Sequence, residues 1–140
     1  MTTVRLMLRK ALRIAHFAVL GIEAVVQLGM AWAAVRLLPP RKWRRWLEPA
    51  AEQPLPPPQL ARDLRRLMRF LAPALPRRSH CLISAMGARA MLARRGYGSA
   101  LSLGADINEL TLAAHAWLSA GSIIVTGHQS LENYREIARF

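Results

Sequence analysis

Apolar residues fill positions 14–35 almost without interruption, and one formal charge, Glu23, lies among them. The length suits a membrane-spanning helix, and the basic residues ahead of it fit the positive-inside rule. A carboxylate near the middle of such a helix costs a few kcal/mol on insertion. Glu23, Gln27 and Met30 share one helical face. A mostly buried helix with one polar stripe is therefore favoured over a membrane-embedded helix, which stays the alternative.

The next segments also have helical patterns, and prolines separate them. Residues 39–49 predict a short basic-aromatic helix in which Trp43 and Trp46 face one way. Four prolines in five positions make residues 54–58 an extended linker. Residues 59–76 predict an amphipathic helix that prolines end, with apolar residues at helical spacing: Leu60, Leu64, Leu67, Met68 and Leu71.

The second half of the chain changes from helical to strand-like patterns. A helix is predicted from near Ser79 to a stop at Gly96, because Ser is a good N-cap and Gly a good C-cap. Three β-type runs follow, with a tight hairpin turn expected at Ala120-Gly121: residues 97–106, 110–120 and 121–127. The tail, residues 130–140, begins with a Ser N-cap and has helical spacing. This order predicts an α+β fold in which an antiparallel meander follows the helices.

These patterns divide the chain into an N-terminal helical segment (residues 1–53), the Pro-rich linker (54–58) and a C-terminal core (59–140). The net charge of +12, mostly from Arg, favours an anionic partner, although Arg-rich codon usage has the same effect. A single cysteine excludes an internal disulfide and a Cys-rich zinc site, which favours a cytoplasmic setting.

That single cysteine, Cys81, falls in the first turn of the predicted helix. The positive end of the helix dipole, with Arg77 and Arg78 nearby, favours the thiolate. His115 stands in a strand-like run and is the candidate general base, because an imidazole that takes the thiol proton creates the nucleophile. A buried thiol and an unrelated core histidine are the alternative at this point.

A family resemblance favours the catalytic interpretation. The segments CLISAMGARAMLARRG (81–96), LSLGAD (101–106), AHAW (114–117) and GSIIVTG (121–127) follow one another in order. They resemble the transglutaminase-like peptidases of bacterial lasso-peptide biosynthesis. The resemblance implies a transglutaminase-like or papain-like fold, with Cys81 as nucleophile and His115 as general base and acid. The activity it implies is a cysteine peptidase that removes the leader from a ribosomally made precursor peptide.

The resemblance also implies partners: the precursor peptide, a separate leader-recognition protein and an asparagine-synthetase-like cyclase. No cofactor or metal is expected. The family's triad has an acidic residue on the strand after the histidine, where this chain has Thr126 and Gly127. Asp106 is the first substitute for the third member, and His128 the second. Ser119 also stands where the family often has an acidic residue.

Two other function classes remain. In the first, the chain is a catalytically idle scaffold that recruits a cyclase or touches a membrane through its N-terminal helices. In the second, it is a basic nucleic-acid-binding protein. Nucleic acid is not expected, because the arginines are scattered and no recognised binding motif is present.

Overall fold

The computed structural model describes residues 1–48, 52–106, 114–127 and 134–140. Its elements are a long helix α1 (Thr2–Leu37), a short helix α2 (Pro40–Trp43) that continues as a 3-10 turn (Arg44–Trp46), and helices α3 (Pro58–Leu71) and α4 (His80–Arg94). A 3-10 turn (Ala72–Ala74) follows α3. Four strands come last: β1 (Ala100–Asp106), β2 (Ala114–Ala120), β3 (Ile123–Thr126) and β4 (Tyr134–Arg139). The predicted α+β fold is confirmed.

Helix α4 lies at the centre because it is built from small and apolar residues on nearly every side. Its buried residues include Ile83, Ala88 and Leu92, each fully covered. The second half of α1 packs on it so closely that a Cβ at Gly87 would come within 2.8 Å of the Leu28 side chain. The sheet and α3 also pack on α4, and all of them share one hydrophobic core.

An ion pair fastens α1 to the end of α4. The two terminal nitrogens of the Arg95 guanidinium, Nη1 and Nη2, donate to the Glu23 carboxylate at 2.8 and 2.6 Å. This fork-like arrangement is the strong form of a carboxylate–guanidinium contact. The charge that argued against a membrane-spanning helix therefore has a partner 72 positions later in the chain.

The sheet is antiparallel, with the strand order β3-β2-β1-β4. The predicted hairpin between β2 and β3 is present, and Gly121 in its turn has a φ of 63°. In the pairing of β1 with β2, Gly104 is opposite His115 and Ser102 is opposite Trp117. Residues opposite one another in antiparallel strands share a face, so His115 and Trp117 lie over the same part of β1.

Two sequence predictions are wrong here. The tail forms strand β4 rather than a helix, because β1 has a free edge whose backbone groups pair with it, for example Leu101 with Phe140 at 2.8 and 3.0 Å. Such a long-range pairing overrides local helical propensity. Ser130, the expected N-cap, lies outside the described residues.

Helix α1 is not mostly buried: its buried residues all come after residue 19, and Met30 is 53% exposed.

Helix α1 is long and apolar enough to cross a membrane, and 33% of its most apolar 18-residue window is buried in the protein. A core helix of a soluble protein and a signal sequence share these properties.

The Pro-rich segment has no helix before Pro58, and its Pro54 carbonyl accepts a 2.9 Å hydrogen bond from the Gly98 N–H. The division of the chain at residues 53 and 58 stays a prediction.

Candidate active site

Cys81 is the second residue of α4, in its first turn as the sequence predicts. Ser79 occupies the N-cap position, but its hydroxyl makes no capping hydrogen bond, so that part of the prediction is wrong. The side chain of the next residue, His80, contacts the main chain: its Nδ1 lies 2.8 Å from the Arg77 carbonyl oxygen. Cys81 is partly exposed, and the solvent reaches it through a pocket.

His115, the second residue of β2, lines the same pocket and lies close enough to the Cys81 sulfur to stabilise the thiolate. Burial opposes ionisation of the thiol, but the His115 hydrogen bond and the N–H groups of Ala116 and Leu82 outweigh it, so the pKa of Cys81 is lowered. The Leu82 N–H is one of the free donors at the start of α4, as the helix-start argument expected. Contacts from Arg77 and Arg78, also expected to help, are not among these causes.

The pKa of His115 moves the other way. The hydrogen bond with Cys81 is the largest cause and raises the pKa of His115. Burial lowers this pKa, and the hydrogen bond to Gly127 raises it further. A lowered thiol pKa beside a raised imidazole pKa favours a thiolate–imidazolium pair. Such a pair is the activated form of a cysteine nucleophile.

The third contact of this pair is a main-chain carbonyl. His115 Nε2 lies 2.8 Å from the Gly127 carbonyl oxygen. A carbonyl only accepts, so Nε2 carries the hydrogen, which leaves Nδ1 for Cys81. Gly127 has a φ of 73°, and a Cβ there would lie 2.5 Å from the Ala116 carbonyl oxygen. Only glycine fits this position without strain.

Aromatic side chains hold the other faces of the imidazole. The ring of Tyr134 stacks on His115 with centroids 4.7 Å apart, and Trp117 stacks at 6.1 Å. Trp117 reaches over β1 because Gly104 has no side chain: a Cβ there would come within 2.7 Å of the indole. Sequence reasoning missed both Tyr134 and Gly104. The signal for Gly104 was the Gly in a strand otherwise rich in apolar residues.

The other sequence candidates occupy different places. Asp106 ends β1 and is opposite Tyr134 of β4, two residues beyond the partner of His115. The described hydrogen bond from His115 Nε2 goes to Gly127 rather than to Asp106, whose role as third member stays a prediction. His128 lies outside the described residues. Ser119 Oγ points to the Ala100 carbonyl oxygen, 3.5 Å away.

The pocket at Cys81 has a volume of about 390 Å³. Apolar side chains from α3, the turn after it and β3 form much of its wall, among them Met68, Leu75 and Val125. Ser84 and Thr126 also line it, and each has a buried hydroxyl oxygen that makes no hydrogen bond to a described residue. A buried unpaired hydroxyl is destabilising, and these two oxygens can reach a bound substrate only if their side chains rotate.

Within the described ranges, no three His, Cys, Asp or Glu side chains come together as metal ligands would. What the arrangement offers is a thiol nucleophile, an imidazole base held in one tautomer, and N–H donors at a helix start. These are the components of acyl transfer through a thioester.

Comparison with known proteins agrees with this geometry. Residues 24–139, which include Cys81, His115 and the packed half of α1, match the model of the transglutaminase-like superfamily. No curated protein and no solved structure matches the chain. The superfamily includes cysteine peptidases. Because the match covers most of the chain and the fold has the expected cysteine helix and sheet, the protein belongs to the transglutaminase-like superfamily.

Proposed function

We propose that this protein is a cysteine peptidase that removes the leader from a lasso-peptide precursor. The observation that carries the proposal is the placement of Cys81, at the start of a helix, beside His115 in the wall of one open pocket. The order of the motifs around these two residues, described above, supports the choice of substrate class.

The proposed reaction uses residues of this chain alone. His115 takes the thiol proton, and the Cys81 sulfur attacks the carbonyl carbon of the scissile peptide bond. Free N–H groups at the start of α4 stabilise the negative oxygen of the tetrahedral intermediate. His115 then gives its proton to the leaving amine, and a thioester remains on Cys81. Water, deprotonated by His115, hydrolyses this thioester, which returns the thiol and releases the second product with a new carboxylate.

A peptide substrate suits the pocket. Its apolar wall can bury one substrate side chain next to the Cys81 sulfur. We further propose a separate leader-recognition protein and a cyclase as partners, and acidic surfaces on them would complement the net charge of +12.

The test is leader release, followed by mass spectrometry, from a lasso-type precursor mixed with this protein and a leader-recognition protein. Wild type releases the leader and Cys81→Ala does not. Ser79→Ala is the matched control, because Ser79 is two residues away and its hydroxyl makes no capping bond; it retains cleavage. Leader release by Cys81→Ala would overturn the nucleophile assignment.

The exposed half of α1 supports a recruiting role alongside catalysis. Leu8 and Leu12 lie one helical turn apart and are 59% and 62% exposed, with Arg9 and Arg13 beside them. Substituting both leucines by serine leaves the core intact, since the first buried residue of α1 is Leu20. We expect weaker binding to a partner or to anionic vesicles, with unchanged alkylation of Cys81. An idle scaffold would instead show partner binding and no leader release with any precursor.

A further inference from the structure

Large apolar side chains cover the side of α1 that faces away from the rest of the protein. The inner side of the second half of α1 is fixed by buried residues such as Leu20 and Ala31, which belong to the core. Ile22, Val25 and Val26 lie on the opposite side and are 69%, 59% and 51% exposed. Exposed apolar side chains that lie together in this way mark a place of contact with another body.

The first half of α1 continues this apolar side. Five turns of an α-helix contain 18 residues, so residues 18 positions apart lie in line along the helix axis. Val4 is therefore in line with Ile22, and Met7 is in line with Val25. Both residues of the first half are also exposed, at 70% and 66%. The resulting outward face is about 33 Å long. Its large side chains are those of Val4, Met7, Leu8, Ile22, Val25 and Val26.

The cations of the first half lie on the other side of the helix. By the same spacing, Arg9 is in line with the buried Gln27, and Arg13 is in line with the buried Ala31. The first half of α1 is thus apolar on the outward face and basic opposite it. A helix with one apolar face and one basic face is typical of proteins that lie on a membrane surface.

Basic residues stand at both ends of α1. Residues 1–46 contain nine Lys and Arg residues and one acidic residue, Glu23, which Arg95 already holds. The nine cations fall in residues 5–13 and 36–45, and all of them are exposed. Trp46, which is 51% exposed, follows the second group. Cations and tryptophans at the ends of an apolar segment suit the headgroup region of a bilayer.

This charge pattern favours a lipid surface over a second copy of the chain. Two copies of α1 that met along the outward face would bring basic residues together in either orientation, because both ends of the helix are basic. An anionic bilayer instead offers phosphates to both ends and an apolar layer to the face between them. The inner side of α1 packs in the core and Glu23 is bound to Arg95, so a bilayer can cover the outward face alone.

We propose that α1 lies in the plane of an anionic membrane surface, with its outward face in the apolar layer and its cations on the headgroup phosphates. The proposal rests on the recruiting role of α1 given above and names the partner of that role. It does not depend on the peptidase activity.

Flotation with vesicles tests the proposal with the full chain. We expect wild type to bind vesicles of phosphatidylcholine and phosphatidylglycerol about tenfold more tightly than vesicles of phosphatidylcholine alone. Raising the salt concentration from about 0.1 M to about 0.5 M should weaken this binding, because salt screens exposed charges. A protease-sensitive tag in front of residue 1 should stay open to protease outside the vesicles. Protection of the tag would show a spanning helix and would overturn the in-plane arrangement, and so would failure to bind the anionic vesicles.

Variants test the outward face. Ile22→Gln with Val25→Gln should weaken binding to anionic vesicles about tenfold, because both side chains would enter the apolar layer. Phe70→Gln with Ile137→Gln is the matched control: it removes two side chains that are 81% and 70% exposed but lie outside α1, and it should retain vesicle binding. Equal binding by the two variants overturns the assignment of the face. If the α1 variant does not fold, Arg5→Gln with Lys10→Gln must weaken binding instead, since both positions precede the first buried residue.

Two measurements keep this test separate from the peptidase test. Cys81→Ala should bind vesicles as wild type does, so a failed leader-release assay leaves the membrane proposal standing. Alkylation of Cys81 without vesicles should be the same in Ile22→Gln with Val25→Gln as in wild type. A dimer in analytical ultracentrifugation that this variant dissociates, together with no vesicle binding by wild type, would show that a second copy covers the face, and would overturn the proposal.

Discussion

Gly127→Ala tests the role of the main-chain carbonyl at His115. The new Cβ would lie 2.5 Å from the Ala116 carbonyl oxygen and 2.8 Å from the Trp117 Cβ, so the backbone must move. The carbonyl that holds His115 Nε2 at 2.8 Å then moves with it. A hydrogen bond of this kind contributes about 0.5–1.5 kcal/mol. At about 1.4 kcal/mol for each factor of ten, its loss slows alkylation of Cys81 at neutral pH by about 2- to 12-fold.

The same substitution also lowers the free energy of unfolding. A non-Gly residue with a φ of 73° costs about 1–2 kcal/mol, and the crowding against Ala116 adds about 1–3 kcal/mol. Gly96→Ala is the matched control, because Gly96 has a φ of 78° and open space where its Cβ would be. Gly96→Ala therefore has only the cost of placing alanine in a left-handed backbone conformation, and it leaves the active site unchanged.

The assay pairs iodoacetamide alkylation of Cys81, measured against pH, with urea unfolding of both variants. We expect Gly96→Ala to be destabilised by about 1–2 kcal/mol with the wild-type alkylation rate. Gly127→Ala should be both less stable and less reactive. If the two variants alkylate at the same rate, the Gly127 carbonyl does not orient His115 and the reasoning is refuted.

Three further predictions follow from the described contacts. Because the hydrogen bond from His115 lowers the pKa of Cys81, His115→Gln should move the alkylation curve to higher pH, and an unmoved curve would contradict the pairing. The Arg95 hydrogen bond lowers the pKa of Glu23, so this pair stabilises the fold above the unfolded-state pKa of Glu23 and is lost as the pH falls through the folded-state value. Glu23→Gln should therefore reduce the free energy of unfolding by about 1–2 kcal/mol at pH 7 and flatten its decline in acid, both measured by urea unfolding. Ser84→Ala removes a buried unpaired hydroxyl, so it should raise the free energy of unfolding by about 1 kcal/mol, measured by urea unfolding; a lower stability would show that the hydroxyl has a partner in solution.

The sequence predicted the parts of this site that depend on local patterns. A Ser before a small-residue helix located Cys81 in a first turn, and the apolar run with AHAW located His115 on a strand. What it could not predict depends on how distant strands pair. The position of Tyr134 against His115 follows from β4 joining the free edge of β1, and no local spacing encodes that pairing.

The hydrogen bond at His115 Nε2 shows the same limit in another form. The strand after His115 has no carboxylate at Thr126 and Gly127, so no side chain there could be predicted as its partner. In the structure the partner is the main-chain oxygen of Gly127, a residue with a φ of 73°. A main-chain contact of this kind leaves no side-chain signal in the sequence.

This carbonyl also changes the electrical character of the site. A carboxylate would bring a full negative charge to the imidazolium that forms during acyl transfer, whereas the Gly127 oxygen brings only the end of a dipole. The Cys81 thiolate also balances the positive charge on His115, and that balance ends when the sulfur attacks the substrate carbonyl. The imidazolium of the tetrahedral intermediate is therefore a stronger acid than one held by a carboxylate. It should protonate the leaving amine readily, and the same imidazole is then a weaker base toward water, so hydrolysis of the thioester should be the slower of the two steps.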